Sequence, residues 1–267
     1  MSRERITSPQ NPRIKLAARL RQRRQRDRQG RFLIDGVAEI SRALDAGVQF
    51  VEVFVSPTLC VAPDEQALME RLEECPCSQT EVPPHVLSRL AYGERSDFAV
   101  VVAQTPALPL ANITLPKNPL VAVVETVEKP GNLGAILRSA DAAGVSAVVA
   151  ADEATDPFNP NTIRASLGTV FNVPLAVASS DETLDWLRAH HLRVFASRVD
   201  AERMYYEADY RAPAAIVLGS EATGLTDRWS GDDVTSIRLP MSGRADSLNV
   251  SATAAVLFYE ALRQRSG

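Results

Sequence analysis

Short apolar runs and amphipathic stretches alternate along most of this 267-residue chain. Strands are expected where the runs are short and rich in β-branched or aromatic residues, at 31–35, 50–55, 98–103, 120–125, 145–151, 192–196, 214–218 and 236–239. Helices are expected between them, at 37–46, 64–74 and 132–143. One more is expected to start within Ser8-Pro-Gln-Asn-Pro-Arg-Ile-Lys15, with proline in its first turn, and to close at Gly30. The alternation breaks between Thr105 and Pro119, where Pro106, Pro109, Pro116 and Pro119 exclude regular helix and favour a stiff extended segment. The expected organisation is α/β: a small alternating unit over residues 1–106, a proline-rich linker over 107–119, and a parallel sheet between helices over 120–267.

The last helix carries two apolar stripes. Leu248, Ala252, Ala255, Tyr259 and Leu262 form one, and Val250, Ala254, Leu257 and Ala261 form the other. Packing on one sheet covers only one of them, so a partner subunit is a natural cover for the second. The junction before this helix is equally informative. Ser247 or Asp246 is expected to cap it, leaving Asn249 at the electropositive N-terminus with an amide that both donates and accepts.

That junction is one of three places where an expected strand runs into a polar, glycine-containing loop. The first is Val123-Val-Glu-Thr-Val-Glu-Lys-Pro-Gly-Asn-Leu-Gly-Ala-Ile-Leu-Arg138, the second Ala214-Ala-Ile-Val-Leu-Gly219-Ser-Glu221-Ala-Thr-Gly224, and the third Ile237-Arg-Leu-Pro-Met-Ser-Gly-Arg-Ala-Asp-Ser-Leu-Asn249-Val-Ser. Open α/β sheets bind ligands at the carboxyl ends of their strands. Taken in order, the three resemble the motifs of the SpoU/TrmH branch of the SPOUT methyltransferases: Asn-x-Gly-x-x-x-Arg, Gly-x-Glu-x-x-Gly and Pro-Met…Ser-Leu-Asn-Val-Ser, over roughly residues 120 to 265. Ser220 and Ala222 stand where many relatives carry other small or polar residues, and Asp35-Gly36 stands where a Glu-Gly pair is common.

The resemblance implies a C-terminal domain tied in a deep trefoil knot, dimeric through that domain, that moves a methyl group from S-adenosylmethionine to a ribose 2′-hydroxyl of RNA without a metal. By motif position it assigns Gly219, Leu239, Met241, Leu248 and Asn249 to the donor, and Arg138, Asn132, Glu221, Ser247 and Asn249 to catalysis. Gly219 is expected to admit close backbone approach, and Gly134, one turn before Arg138 on the same face, to leave open space for RNA. A guanidinium is normally a donor only, so holding a phosphate and stabilising a developing alkoxide suit Arg138 better than accepting a proton. The structural alternative for Arg138 is an ion pair with Asp141 at i+3. The first hundred residues resemble a ribosomal-protein-like substrate-binding domain, which favours ribosomal RNA. A transfer-RNA enzyme and a non-catalytic RNA-binding or ribosome-assembly protein on the same fold are the alternatives.

Charge supports an RNA partner. The chain's net charge of −4 conceals +9 over residues 1–31 and −13 over the rest. Arg19, Arg21, Arg23, Arg24, Arg26 and Arg28 are expected to circle the first helix and bind a polyanion. No apolar run is long enough to span a bilayer and the first residues lack a secretory pattern, so a cytoplasmic protein is expected. Cys60, Cys75 and Cys77 lack zinc-ligand spacing and are expected to be reduced thiols. Lys129-Pro-Gly-Asn-Leu-Gly134 is followed by no Gly-Lys-Ser/Thr and lacks a first Gly-x-Gly, which removes P-loop and dinucleotide readings. His85, His190 and His191 have neither triad-like nor metal-like spacing.

Overall fold

The computed structural model describes residues 4–92, 97–153 and 155–266. It forms two compact units: the chain up to Pro106 together with Phe158–Asn172, and Ala107–Pro157 together with the chain from Val173 onward.

The first unit contains β1 (Glu4–Arg5), α1 (Pro12–Ala18), α2 (Arg23–Gln29), β2 (Arg31–Asp35), α3 (Val37–Asp45), β3 (Phe50–Val55), α4 (Pro63–Glu73), β4 (Ser78–Glu81), α5 (Pro84–Leu87) and β5 (Ala99–Gln104). Its mixed sheet runs β1-β4-β3-β5-β2, with β5 antiparallel to both β3 and β2. The single helix expected before Gly30 is an elbow of two. Asn11 caps α1 by accepting from the Arg13 N–H at 2.9 Å. The helix tightens into a 3₁₀ turn at Arg19–Arg21, and Gln22 is extended (φ −95°, ψ 130°) before α2 begins. The break leaves carbonyls that a continuous helix would have satisfied. Arg26 takes two of them: it is only 3% exposed, and its Nη1 donates to Leu20 O and Arg21 O, both at 2.9 Å. Gly30, at φ 59°, ends α2 in the left-handed conformation that glycine tolerates best.

The second unit opens with β6 (Leu120–Glu125), α6 (Pro130–Ala142) and β7 (Ala147–Ala151). The chain then passes through α7 (Pro160–Ala165), which belongs to the first unit, and returns with β8 (Leu175–Ala178), α8 (Ser180–Ala189), β9 (Arg193–Ser197), β10 (Ala214–Leu218), β11 (Val234–Ile237) and α9 (Val250–Arg265). The excursion is held by aromatic stacking, Phe158 lying 4.6 Å and Phe171 6.0 Å from Phe32 between ring centroids. At Gly168 (φ 81°) any Cβ would sit 2.9 Å from the Glu39 Cα, so the close approach itself requires glycine. The six strands of the second sheet run β11-β9-β10-β6-β7-β8, all pairs parallel. Val121, Val123, Val149, Ala176, Val194 and Val217 fill its core. The proline-rich segment docks on this unit: Leu110, Ile113 and Leu115 pack on the core, and Leu108 O accepts from Val177 N at 2.8 Å.

The last helix begins later than its sequence suggests. Asn249 is its N-cap, accepting at Oδ1 from Ser251 N at 2.9 Å, so neither Ser247 nor Asp246 caps it. Asparagine is among the best cap residues, and capping from 249 places Val250 on the buried face. Val250, Ala254, Leu257, Phe258 and Ala261 are buried, and α9 packs on α6 and β10. Of the other expected stripe, Ala252 and Tyr259 are exposed and Ala255 and Leu262 half-buried, while Leu248 lies before the N-cap and so outside the helix. At the far end Arg265 donates to Tyr210 O, Asn118 O, Pro119 O and Ala212 O at 2.7–3.0 Å, fixing the helix to the loops that open β6 and β10.

Candidate active site

β6 and β10 lie side by side at the centre of the second sheet, in register from Leu120↔Ala214 to Val124↔Leu218. Beyond β6 the chain crosses through α6 to β7 on one side, while β10 borders β9 on the other. Loops leaving the carboxyl ends of two such strands diverge and open a crevice between them.

The loop after β6 starts with two unusual residues. Glu125 is completely buried, yet its carboxylate accepts four hydrogen bonds: from Ser180 Oγ at 2.8 Å, Thr226 Oγ1 at 2.7 Å and Trp229 Nε1 at 2.9 Å on Oε1, and from Thr226 N at 2.8 Å on Oε2. These donors come from α8 and from the segment that follows β10, so one carboxylate ties the two diverging loops together. Burying a charge is tolerated only with such full satisfaction. Thr126 follows at φ 50°, donating its N–H to Ala151 O at 3.0 Å. A β-branched residue in the left-handed region is strained, and strain of this kind concentrates at functional loops.

The loop after β10 closes on itself. Ser220 and Gly224 exchange backbone hydrogen bonds at 3.2 and 3.0 Å, and the Ser220 hydroxyl accepts from the N–H groups of Ala222 and Thr223. A Cβ on Gly219 would lie 2.3 Å from the Gly224 carbonyl carbon. Glycine at 219 is therefore required by the loop's own backbone.

Side chains of all three motifs meet above this crevice. Asn249 Nδ2 donates to Asn132 Oδ1 at 3.2 Å, and Asn132 Nδ2 donates to Glu221 Oε1. The Asn249 amide does both things expected of it, accepting within its helix and donating to the first motif. Arg138 stands apart from the three. Six residues beyond Asn132 on α6, it lies roughly 240° further round the helix axis, and it is exposed. Among the described residues its guanidinium makes no hydrogen bond or ion pair, and the expected alternative pairing with Asp141 is not formed. Gly134 is buried, which removes the open space expected beside it; Gly131, exposed in the first turn, has nothing within 4 Å of a Cβ position. Ser247 is exposed and precedes the cap. Leu239 is half-buried just past β11, while Met241 (36%) and Leu248 (44%) are exposed on the loop between Pro240 and Asn249.

On the first unit, Arg19, Arg21, Arg23, Arg24 and Arg28 are exposed. Arg21 nevertheless donates to Ala91 O. Arg26 does not join an RNA-facing surface, because the elbow needs its guanidinium inside. Sequence patterns alone miss Glu125, Ser180, Thr226 and Trp229. A single acid ending an otherwise apolar strand is the available signal for the first; its donors are distant in sequence and leave none. Cys77 is held as a thiol, its pKa pushed up to about 12 by burial and then by its neighbour Cys75. Among the described residues no group of three or more His, Cys, Asp or Glu is placed to hold a metal ion, and no helix is long and apolar enough to cross a membrane.

Comparison with known proteins bears on the same residues. The SpoU rRNA Methylase family model matches residues 119–259, and the MRM3-like substrate binding domain matches residues 11–100. A 23S rRNA (uridine(2479)-2′-O)-methyltransferase of Streptomyces viridochromogenes is 30% identical over 262 residues, covering 93% of this chain and 88% of the relative. Among solved structures, an RNA 2′-O ribose methyltransferase is 44% identical with a TM-score of 0.86, covering 98% of this chain and 99% of that one. An AdoMet-bound rRNA methyltransferase from Sinorhizobium meliloti is 30% identical with a TM-score of 0.88, covering 97% of each chain.

Proposed function

The chain belongs to the SpoU rRNA methylase family, and from that premise we propose that it methylates a ribose 2′-hydroxyl of ribosomal RNA with S-adenosylmethionine as donor. The observation that carries this reading is the hydrogen-bonded chain Asn249–Asn132–Glu221, which joins three motifs far apart in sequence at the switch point of the parallel sheet. A protein that only bound RNA through its first unit would need no such constellation.

The donor's sulfonium makes its methyl group electrophilic when it is bound. What remains for the chain is to hold donor and acceptor in line and to manage the hydroxyl proton. We assign the donor to Leu239, Met241 and Leu248, whose half-buried or exposed apolar side chains are free to contact it, and to the tight turn at Gly219, which presents backbone rather than side chain. We assign Asn132, Glu221 and Asn249 to orienting the two reactants, and Ser247 to the acceptor side of the same loop. Arg138, unpartnered and exposed, has its charge available for an RNA phosphate and for the developing alkoxide.

The exposed apolar residues of α9, Tyr259 at 51% and Val256 at 37%, support a homodimer formed through the second unit. The same reading includes the trefoil knot, supported by the return of α9 onto α6 and β10, and a cytoplasmic location where ribosomal RNA is found. The first unit, with its exposed arginines, grips folded RNA through phosphate and 2′-hydroxyl contacts. Calorimetric titration tests the donor half of the proposal. S-adenosylmethionine and its demethylated product are expected to bind the homodimer in the presence of a metal chelator, one per subunit. No heat of binding at millimolar ligand would remove the methyltransferase assignment.

A further inference from the structure

The elbow of the first unit builds something that a straight basic helix does not. Leu16 and Arg19 lie one turn apart at the end of the first arm, and Gln25, Arg28 and Gln29 share a face of the second. The bend at Gln22 turns these faces toward each other, and the left-handed turn at Gly30 brings Arg31, the first residue of β2, beside them. Together the six residues line a depression of about 330 Å³, at the small end of the roughly 300–1,000 Å³ of ligand sites.

The chemistry of that lining is one-sided. The guanidinium groups of Arg19, Arg28 and Arg31 form no ion pair or hydrogen bond among the described residues, and no acid lines the hollow. Three like charges held together repel one another until an anion arrives. Gln29 adds a second, independent mark: its Nε2 is buried without a hydrogen-bond acceptor. A buried donor left unmet costs free energy that an incoming acceptor recovers. Arginine's planar fork matches phosphate oxygens two at a time, glutamine amides suit further phosphate or ribose oxygens, and exposed Leu16 offers an apolar edge. A carboxylate ligand would satisfy one fork; three forks with two amides fit a phosphodiester and its ribose.

The geometry points to a phosphodiester-binding pocket at Arg19, Arg28, Arg31 and Gln29, distinct from the outward-facing Arg23 and Arg24; the inference rests on the reading of the first unit as the RNA grip. Arg31 is part of this pocket although it lies outside the arginine cluster. Arg26 is its positioning residue, since it holds the elbow closed.

The test uses the full-length protein and a mixed-sequence 12-nucleotide RNA, titrated across a range of salt. Arg28→Gln with Arg31→Gln is expected to weaken binding at least tenfold and to flatten the slope of log affinity against log salt by about 0.7 for each phosphate no longer neutralised. Donor binding should not change, which shows the second unit intact. In nitrogen-edited spectra the Gln29 side-chain amide should move on adding the RNA, and not with inorganic phosphate at the same phosphate concentration. Equal movement with inorganic phosphate, with RNA affinity unchanged in the pair of variants, would reduce the site to an adventitious ion only. If Arg23→Gln with Arg24→Gln weakens binding while the Arg28/Arg31 pair does not, the pocket is wrong and the basic arm still stands. If neither pair changes RNA binding, the reading of the first unit as the grip falls with it.

Discussion

Arg138→Ala is expected to lower single-turnover methyl transfer by roughly a hundred- to a thousand-fold, the usual consequence of removing one preorganised charge-stabilising group. Donor affinity should stay within about twofold, because the Arg138 guanidinium makes no hydrogen bond or ion pair to the residues assigned to the donor. The structure makes this substitution easy to interpret. Arg138 is exposed and its guanidinium makes no ion pair or hydrogen bond among the described residues, so its removal leaves no buried group orphaned and stability should change by less than about 0.5 kcal/mol. Arg138→Lys keeps the charge and loses the planar fork, and it too should be severely impaired. Measured rates at saturating RNA decide the matter. Near-normal turnover in Arg138→Ala would move the catalytic assignment to Glu221 or Asn249.

The second large effect belongs to Glu125, through structure rather than contact with RNA. Glu125→Gln keeps the shape of the side chain but turns one oxygen into an amide that faces either the Thr226 N–H or the three donors on Oε1. Either way a buried donor meets a donor. Losing a hydrogen bond to a charged group and stranding its partner costs about 1.5–3 kcal/mol, which for a unit of this size lowers the melting temperature by roughly 5–10 °C. The loop between Gly219 and Trp229 is the part that loosens, so donor affinity should fall at least tenfold while RNA binding by the first unit persists. An unchanged melting temperature and donor affinity would show that the carboxylate does not tie the two loops together.

Most of the second unit is legible in the sequence because its strands are apolar runs too short for helices, separated by amphipathic stretches. Strands at 120–125 and 214–218 appear with the expected bounds. Ends shift where tertiary pairing decides them: the last strand is Val234–Ile237 rather than 236–239, since it is set by pairing with β9. The site's members are legible as motif positions. Their connections are not, because Asn249 reaches Asn132 across 117 residues and Asn132 reaches Glu221 across 89.

Two departures from the expected elements share a physical origin. Every residue of the first helix tolerates helix, which favours a continuous one, and local propensity cannot reveal that Arg26 caps carbonyls six and five residues behind it. The start of the last helix is ambiguous in sequence because Asp246, Ser247 and Asn249 are all good caps, and burial of Val250 selects among them. The return of Phe158–Asn172 to the first unit is also silent in sequence. Its anchor, the stacking of Phe158 and Phe171 on Phe32, joins residues more than a hundred positions apart.

The most direct measurement is the fate of the methyl group itself. The purified protein is incubated with methyl-labelled S-adenosylmethionine and unmodified ribosomal RNA, the RNA is digested to nucleosides, and the label is located by mass spectrometry. The expected result is label confined to the ribose of one 2′-O-methylnucleoside from a single position, absent when that position carries a 2′-deoxy sugar and accumulating roughly a hundred- to a thousand-fold more slowly with Arg138→Ala. Label on a base, or label that survives the 2′-deoxy substitution, would contradict ribose 2′-O-methylation by this site.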